Sequence, residues 1–200
     1  MSVKQQTMNG EQLSIAALIL AAGAGGRMGM PKWQVNVEGK NFLDIICDKL
    51  ASIQLTDIIC VKRENFKIKN PSLKYVINPN PEYGMISSVY HGVKEYPGYE
   101  AYLIWPVDHP FVEVSTIGEL KNIFEFIQKK VIRPVFKGIT GHPIIIPNSL
   151  ISHIQTPGYS GGLRQLIKDS KIEIFDLPCN DSNILRNINF MTDLGKIKIL

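Results

Sequence analysis

Short apolar runs alternate along this chain with stretches whose apolar residues recur at helical spacing. Runs of strand length lie at Ile15–Leu20, Asp57–Lys62, Lys74–Ile77, Ala101–Val107, Arg133–Phe136, His142–Ile146 and Ile172–Leu177. Between them, Asn41–Ile53 carries Phe42, Ile45, Ile46, Leu50 and Ile53, the stripe of an amphipathic helix. Gly84–Glu95 and Val114–Lys129 read as further helices, the latter with Ser115 or Thr116 as candidate caps. Leu163–Lys168 and Met191–Ile197 give two shorter ones. Strands alternating with helices of this length predict an α/β fold: a doubly wound, mostly parallel sheet with helices on both faces. Pro134 and Pro143 lack the ladder donor, so edge or bulged positions are expected there. Residues 1–12 show no apolar periodicity and read as a frayed end. With no repeat and no linker, residues 13–200 are expected to form a single domain.

Composition narrows the function. The 200 residues carry 22 Lys and Arg against 18 Asp and Glu, a net charge of +4 that suits small anionic ligands. There is no block of like charge and no arginine-rich tract, so no nucleic-acid partner is expected. Cys47, Cys60 and Cys179 lie far apart, which excludes a disulfide framework and a zinc ribbon and points to a reducing cytoplasm. The apolar stretch 15–24 is too short to span a membrane, and mostly polar residues including Glu11 precede it. It reads instead as a buried strand running into a glycine loop, with no membrane association.

In open sheets of this class ligands bind beyond the carboxyl ends of the strands. The segment that follows the first strand is Ala21-Ala22-Gly23-Ala24-Gly25-Gly26-Arg27-Met28-Gly29-Met30-Pro31-Lys32. Small residues let backbone amides approach a ligand and form an anion-binding nest. A dinucleotide fingerprint fails because Met28 stands at the sixth position, and a P-loop fails because Met30-Pro31-Lys32-Trp33 lacks Gly-Lys-Ser/Thr. What remains is a glycine loop with two cations, Arg27 and Lys32, suited to a triphosphate. The plainer alternative is a surface loop with incidental charges.

At these residues the sequence resembles the MobA-like nucleotidyltransferases, and among them the molybdenum-cofactor cytidylyltransferases. Leu20-Ala21-Ala22-Gly23-x-Gly25-x-Arg27-Met28-Gly29-x-Pro31-Lys32 is similar to that family's loop. Gly84-Met85-Ile86-Ser87-Ser88, Pro106-Val107-Asp108-His109-Pro110 and Gly141-His142-Pro143 follow in the family's order. The resemblance implies a Rossmann-like nucleotide-diphospho-sugar transferase fold that joins CMP from CTP to molybdopterin and releases pyrophosphate. It implies a nucleotide cradle of Ala21, Ala22, Gly23, Gly25, Gly26, Arg27 and Lys32, with CTP expected from Ala21-Ala22-Gly23. Asp108, at the end of an apolar run, would hold Mg²⁺ against the triphosphate; the alternative is an Asx turn before Pro110.

Gly84 and Ser88 open a helix whose amide dipoles favour an anion, and Ser87 offers a second hydroxyl; simple capping explains them equally. Asn78, after the third strand, is a candidate base reader or an Asx-Pro turn residue. His109 either contacts the acceptor or is a surface histidine, and Gly141 and His142 are acceptor contacts by resemblance alone. Trp33, Trp105, Cys47 and Cys60 read as packing.

The chain departs from the family in two places. Asn187-Ile188-Asn189-Phe190-Met191-Thr192-Asp193 stands where the family has Asp-x-Asp-Thr-Pro-Glu-Asp, so Asn189 offers the metal a carbonyl oxygen without charge. In Gly158-Tyr159-Ser160-Gly161-Gly162-Leu163-Arg164, Tyr159 replaces the family's Asp and the arginine is displaced by one place. Three readings stay open: a molybdenum-cofactor cytidylyltransferase, a transferase for a sugar or polyol phosphate, or a catalytically silent nucleotide-binding partner of a molybdenum hydroxylase.

Overall fold

The computed structural model describes residues 14–196. The expectation for residues 1–12 therefore lies outside the described residues, as does Ile197 at the end of the last predicted helix.

Among the described residues, ten strands and five α-helices form in the order β1 (Ile15–Leu20), β2 (Asn36–Val37), β3 (Lys40–Asn41), α1 (Phe42–Ser52), β4 (Ile58–Lys62), β5 (Lys74–Ile77), α2 (Met85–Glu95), β6 (Ala101–Pro106), α3 (Val114–Ile127), β7 (Val131–Phe136), β8 (Ile139–Thr140), β9 (Ile144–Pro147), α4 (Asn148–Ile151), α5 (Gly162–Ser170) and β10 (Ile174–Pro178). The main sheet runs β10-β7-β9-β6-β1-β4-β5, with β8 added to β7. Every neighbouring pair along it is parallel except those made by β9, which lies antiparallel to both β6 and β7. Leu20 of β1 pairs with Val61 of β4 and with Pro106 of β6, so these carboxyl ends finish level. No helix among the described residues is long and apolar enough to cross a membrane.

Apolar runs rather than alternating ones form the central strands because both faces are covered. Ile15, Ala17 and Ile19 join one core cluster with α1 (Phe42, Leu43, Ile46, Leu50) and α3 (Ile117, Leu120, Phe124). Ala16, Leu18 and Leu20 face the other cluster, with α2 (Ile86, Val89, Val93), α4 (Leu150) and α5 (Leu163, Leu166, Ile167). All six residues of β1 are buried. Trp33, Trp105, Cys47 and Cys60 are buried too, as packing requires.

Several local expectations are corrected. Neither Ser115 nor Thr116 caps α3. Asp181 does so from across the chain, accepting from the Glu113 amide at 2.7 Å and the Thr116 hydroxyl at 3.2 Å, while Ser115 donates to the Glu113 carboxylate. The helix stops at Ile127 because Gln128 and Lys129 turn to positive φ, two residues before the predicted end. Pro134 is not on an edge strand: β7 lies between β9 and β10. Its missing donor falls where the neighbour changes from β8 to β9, between Val135↔Thr140 and Ile132↔Ile145, so no ladder bond is lost. Pro143 precedes β9, joined to His142 by a cis peptide. The final predicted helix is a 3-10 segment, Met191–Lys196.

Candidate active site

The glycine loop leaves β1 still tied to the sheet, with the Ala21 amide donating to Val61 O at 2.8 Å. Ala21 and Ala22 are buried, while Gly23 and Gly26 are open. Arg63, just past β4, donates from Nε to Ala22 O at 2.7 Å and braces the loop from the side. Gly25 sits in the left-handed region at φ 66°, and a Cβ there would lie 1.9 Å from Met30 O. Only glycine fits this turn. Met28 packs into the core behind it and Arg27 lies exposed on its outer side. Pro31 then opens a short 3-10 turn, Lys32–Gln34, held down by buried Trp33 against Phe66 at 6.3 Å between ring centroids.

That anchorage aims Lys32 across the sheet edge. Its ammonium donates to Asp108 Oδ2 and to Asn189 Oδ1, both at 2.7 Å. Asp108 Oδ1 is 2.9 Å from His109 Nδ1. Burial alone would raise the pKa of Asp108, but the hydrogen bond and charge of His109, then those of Lys32, outweigh it and hold the carboxyl at about 2. Asp108 is therefore ionised at any working pH. His109 is 8% exposed, so it is not a surface histidine. Its carbonyl accepts from the Trp105 indole, and its ring meets His142 edge-on at 5.4 Å. Burial, with the nearby His109 and Arg164 charges, lowers the pKa of His142 to about 4 against the pull of Asp108. At neutral pH His142 is uncharged, and its buried Nδ1 has no hydrogen-bond partner.

Asn189 reaches this cluster because residues 184–193 lie across the sheet edge. The Ile188 amide donates to Asp108 O at 2.8 Å and the His142 amide to Ile184 O at 2.9 Å. A Cβ on Gly141 would meet Ile184 O at 2.3 Å, so glycine permits this close crossing. Ile184 and Ile188 are fully buried anchors. Asp193 Oδ2 accepts from the amides of Asn189 and Phe190 at 3.0 and 2.9 Å, which fixes the direction of Asn189. Asn187 is exposed.

Two cavities adjoin at this edge. One, of about 200 Å³, is lined by Ala22, Gly23, Lys32, Gly84, Ser88 and Asp108 among others. The second, of about 290 Å³, is lined by Arg133, Thr140, Gly141, His142, Leu163 and Arg164 among others. Met85, the first residue of α2, lines both. The candidate residues thus divide into two groups: Ala22, Gly23, Lys32, Gly84, Ser88 and Asp108 gather on the first cavity, Gly141 and His142 on the second. Asn78 lies beneath them, 2% exposed, with its amide already donating to Ser87 and Ser88 and its oxygen accepting from the Asn80 amide. These are the bonds of a turn residue. The sequence does not single out Met85 and Arg164 as lining groups, nor Arg63 as the brace of the loop, although its position directly after a predicted strand is an available signal.

A divalent metal can be tested against this geometry. Among the described residues no group of three His, Cys, Asp or Glu side chains forms a closed cage. Yet Asp108 Oδ2 and Asn189 Oδ1 converge on one cation, the Lys32 ammonium. Two hard oxygens, with Asp108 lining the first cavity, suit Mg²⁺, which binds through one or two protein oxygens with water and substrate phosphates completing its shell. The residues present fit that ion.

Known proteins share this fold. A probable molybdenum cofactor guanylyltransferase from Natranaerobius thermophilus is 26% identical over 129 residues, which is 62% of this chain and 62% of that protein. The crystal structure of Rv0371c from Mycobacterium tuberculosis H37Rv is similar at a TM-score of 0.78 and 15% identity, covering 93% of this chain and 97% of its own; its manganese complex also matches, with a TM-score of 0.68, 14% identity and 92% and 97% covered. Molybdopterin-guanine dinucleotide biosynthesis protein A from Archaeoglobus fulgidus gives a TM-score of 0.67 at 16% identity, covering 90% and 95%. These structural likenesses establish the Rossmann-like fold. Residues 17–174 match the MobA-like NTP transferase domain, so the chain belongs to that family.

Proposed function

We propose that this protein moves CMP from CTP onto the phosphate of an acceptor, molybdopterin, with release of pyrophosphate. The observation that carries the proposal is the pair of adjoining cavities at the carboxyl edge of the sheet, one lined by the glycine loop, Lys32 and Asp108, the other by His142 and Arg164. The first suits a triphosphate. Its backbone is bare at Gly23, and Lys32 supplies a cation while Arg27 stands on the outer turn of the same loop. The second suits an anionic acceptor of some size, with Arg164 as a cation and apolar walls at Leu163 and Ile144; the Arg133 guanidinium on its rim is already paired with Asp176.

The reaction needs no protein nucleophile. An acceptor phosphate oxygen attacks the α-phosphorus, a new P–O bond forms, and the bond to the bridging oxygen breaks so that pyrophosphate leaves with its electron pair. Positioning and charge neutralisation carry such chemistry. Asp108 and Asn189 would hold Mg²⁺, which when bound offsets charge on the phosphates. A metal requirement is also supported by the manganese complex of Rv0371c. Lys32 neutralises phosphate oxygens, and His142, uncharged at neutral pH, borders the acceptor without adding charge.

Cytidine rests on Ala21-Ala22-Gly23. The name of the Natranaerobius relative favours guanosine instead, so GTP is the second reading. The deciding assay mixes the protein with Mg²⁺, each of the four NTPs in turn and either molybdopterin or a sugar or polyol phosphate, and measures pyrophosphate. Turnover highest with CTP and abolished in Asp108→Ala is expected; turnover highest with GTP replaces the base. No turnover with any NTP, Asp108→Ala behaving as wild type, overturns the activity in favour of a silent nucleotide-binding role. Turnover only with a sugar or polyol phosphate overturns the acceptor.

A further inference from the structure

The Lys32 ammonium stands where a metal ion would stand. It is 2.7 Å from Asp108 Oδ2 and 2.7 Å from Asn189 Oδ1, and these two oxygens are the ones that fit a divalent cation. An ammonium has three donors and no acceptor, and here two of the three are spent on this pair. Its +1 charge cancels the −1 of Asp108, while Asn189 contributes a carbonyl dipole and no charge. His109 faces the other oxygen of Asp108, and Lys32 and Asp108 are only part-exposed, so the point is not short of positive charge. A divalent ion could reach both oxygens only after the ammonium had left, because one acceptor pair cannot hold two neighbouring cations at contact distance. Were residue 189 an aspartate, a second carboxylate would pull in the metal alongside the lysine. With asparagine the point holds one cation at a time.

What draws the ammonium away lies next to it. Lys32 also lines the cavity of the glycine loop, and a triphosphate there presents several negative oxygens to a flexible four-carbon stem whose backbone is pinned by Pro31 and buried Trp33. We infer that Lys32 is an internal plug of the metal position, so that the free protein does not take up a divalent ion and the metal enters only with the nucleotide, once the triphosphate has claimed the lysine. This rests on the transferase reading for the identity of the nucleotide, but not for the exchange of cations.

The test uses Mn²⁺ alone, titrated into the free protein and followed by the loss of the electron paramagnetic resonance signal of the free aqua ion. Lys32→Met is expected to bind Mn²⁺ about tenfold to a hundredfold more tightly than wild type, the range set by hydrogen bonds to charged groups, and Lys32→Met with Asp108→Asn is expected to lose that gain. Wild type binding Mn²⁺ as tightly as Lys32→Met, or Lys32→Met showing no gain, overturns the inference. A second measurement needs no variant. The ammonium proton–nitrogen correlation of Lys32, ordered by two acceptors, should be unmoved by Mg²⁺ alone and should move when Mg²⁺ and a non-hydrolysable CTP analogue are added together. Movement with Mg²⁺ alone, or none with both, overturns it. Neither readout requires pyrophosphate release, so a failed transferase assay and a failed plug are separate results.

Discussion

The sharpest test of the loop geometry is Gly25→Ala. At φ 66° and ψ 20° the left-handed conformation costs a residue with a Cβ about 1–2 kcal/mol. The added carbon would also lie 1.9 Å from Met30 O and 2.7 Å from Met30 C, both backbone atoms, so no side chain can rotate to relieve it. The turn must open between Gly25 and Pro31. Overpacking of this kind adds about 1–3 kcal/mol, partly relieved because the loop is at the surface, which leaves a net destabilisation of about 1–3 kcal/mol. For a chain of this length the melting temperature should fall by about 2–10 °C. Nucleotide affinity should fall much further, because opening the turn shifts the start of the 3-10 segment that carries Lys32. Two controls separate strain from steric blockage. Gly26→Ala has no positive φ and no atom within 4 Å of the new carbon, so both readouts should stay near wild type. Gly23→Ala also has open space, but Gly23 lines the cavity, so its stability should hold while nucleotide binding weakens. Calorimetric titration with CTP and thermal melts measure both quantities. If Gly25→Ala binds CTP as wild type does, the loop is not a fixed cradle and the argument from its backbone fails.

Asp181→Ala should cost about 1–3 kcal/mol, since it strands the buried Thr116 hydroxyl and takes the acceptor from the part-buried Glu113 amide; a melt shows it as a fall of about 2–12 °C, with faster hydrogen exchange at Glu113, and an unchanged melt would show that α3 caps itself. His142 has a folded pKa near 4 against an ordinary 6.5, so the unfolded chain binds its proton more readily; that stability is complete above pH 6.5 and is lost as pH falls towards 4. Between pH 7 and 5 this amounts to about 2 kcal/mol, or roughly 4–8 °C, and His142→Asn should flatten the decline; an equal decline in the variant would assign it elsewhere. Asp193→Asn keeps one acceptor but loses the charge, so kcat should fall about tenfold and the metal concentration for half activity should rise, while the CTP KM barely moves; a KM effect alone would make Asp193 part of the nucleotide site.

The strand core was readable because strands covered on both faces leave continuous apolar runs. Ile15–Leu20 and Lys74–Ile77 appear in the structure with the boundaries read from sequence. Features that depend on distant partners were not readable. The cap of α3 is 68 residues from the Glu113 amide it serves, and local capping rules see only Ser115 and Thr116. The β2–β3 hairpin turns on Glu38 and Gly39, both at positive φ, a conformation that a glutamate does not announce. His109 lies in a polar string, Asp-His-Pro, that looks like surface, yet it is buried, with its ring against His142 and its carbonyl taken by the Trp105 indole. In the site itself, the sequence supplied Lys32, Asp108 and Asn189 as separate candidates for phosphate and metal. It could not supply their mutual contact, which joins residues 76 and 157 positions apart.

Strand direction was the largest silent variable, and the site depends on it. Hydrophobic periodicity is the same read forwards or backwards, so the run His142–Ile146 enters the sheet without a direction. Had β9 run parallel to β6, its carboxyl end would lie at the working edge, and His142 would sit about 13–20 Å away at the opposite edge. Because β9 runs antiparallel, Ile104 pairs with Ile144 and the residues before β9 arrive beside those after β6. That is how His142 comes within ring contact of His109, three residues past the end of β6. The chain entering β9 from the edge also leaves the backbone of Gly141 and His142 free to receive Ile184, and the same crossing carries Asn189 to Lys32. One reversed strand therefore sets both the wall of the second cavity and the approach of the last oxygen in the first. The motif at residues 141–143 gains its place in the site from topology, and the same residues on a parallel strand would line nothing.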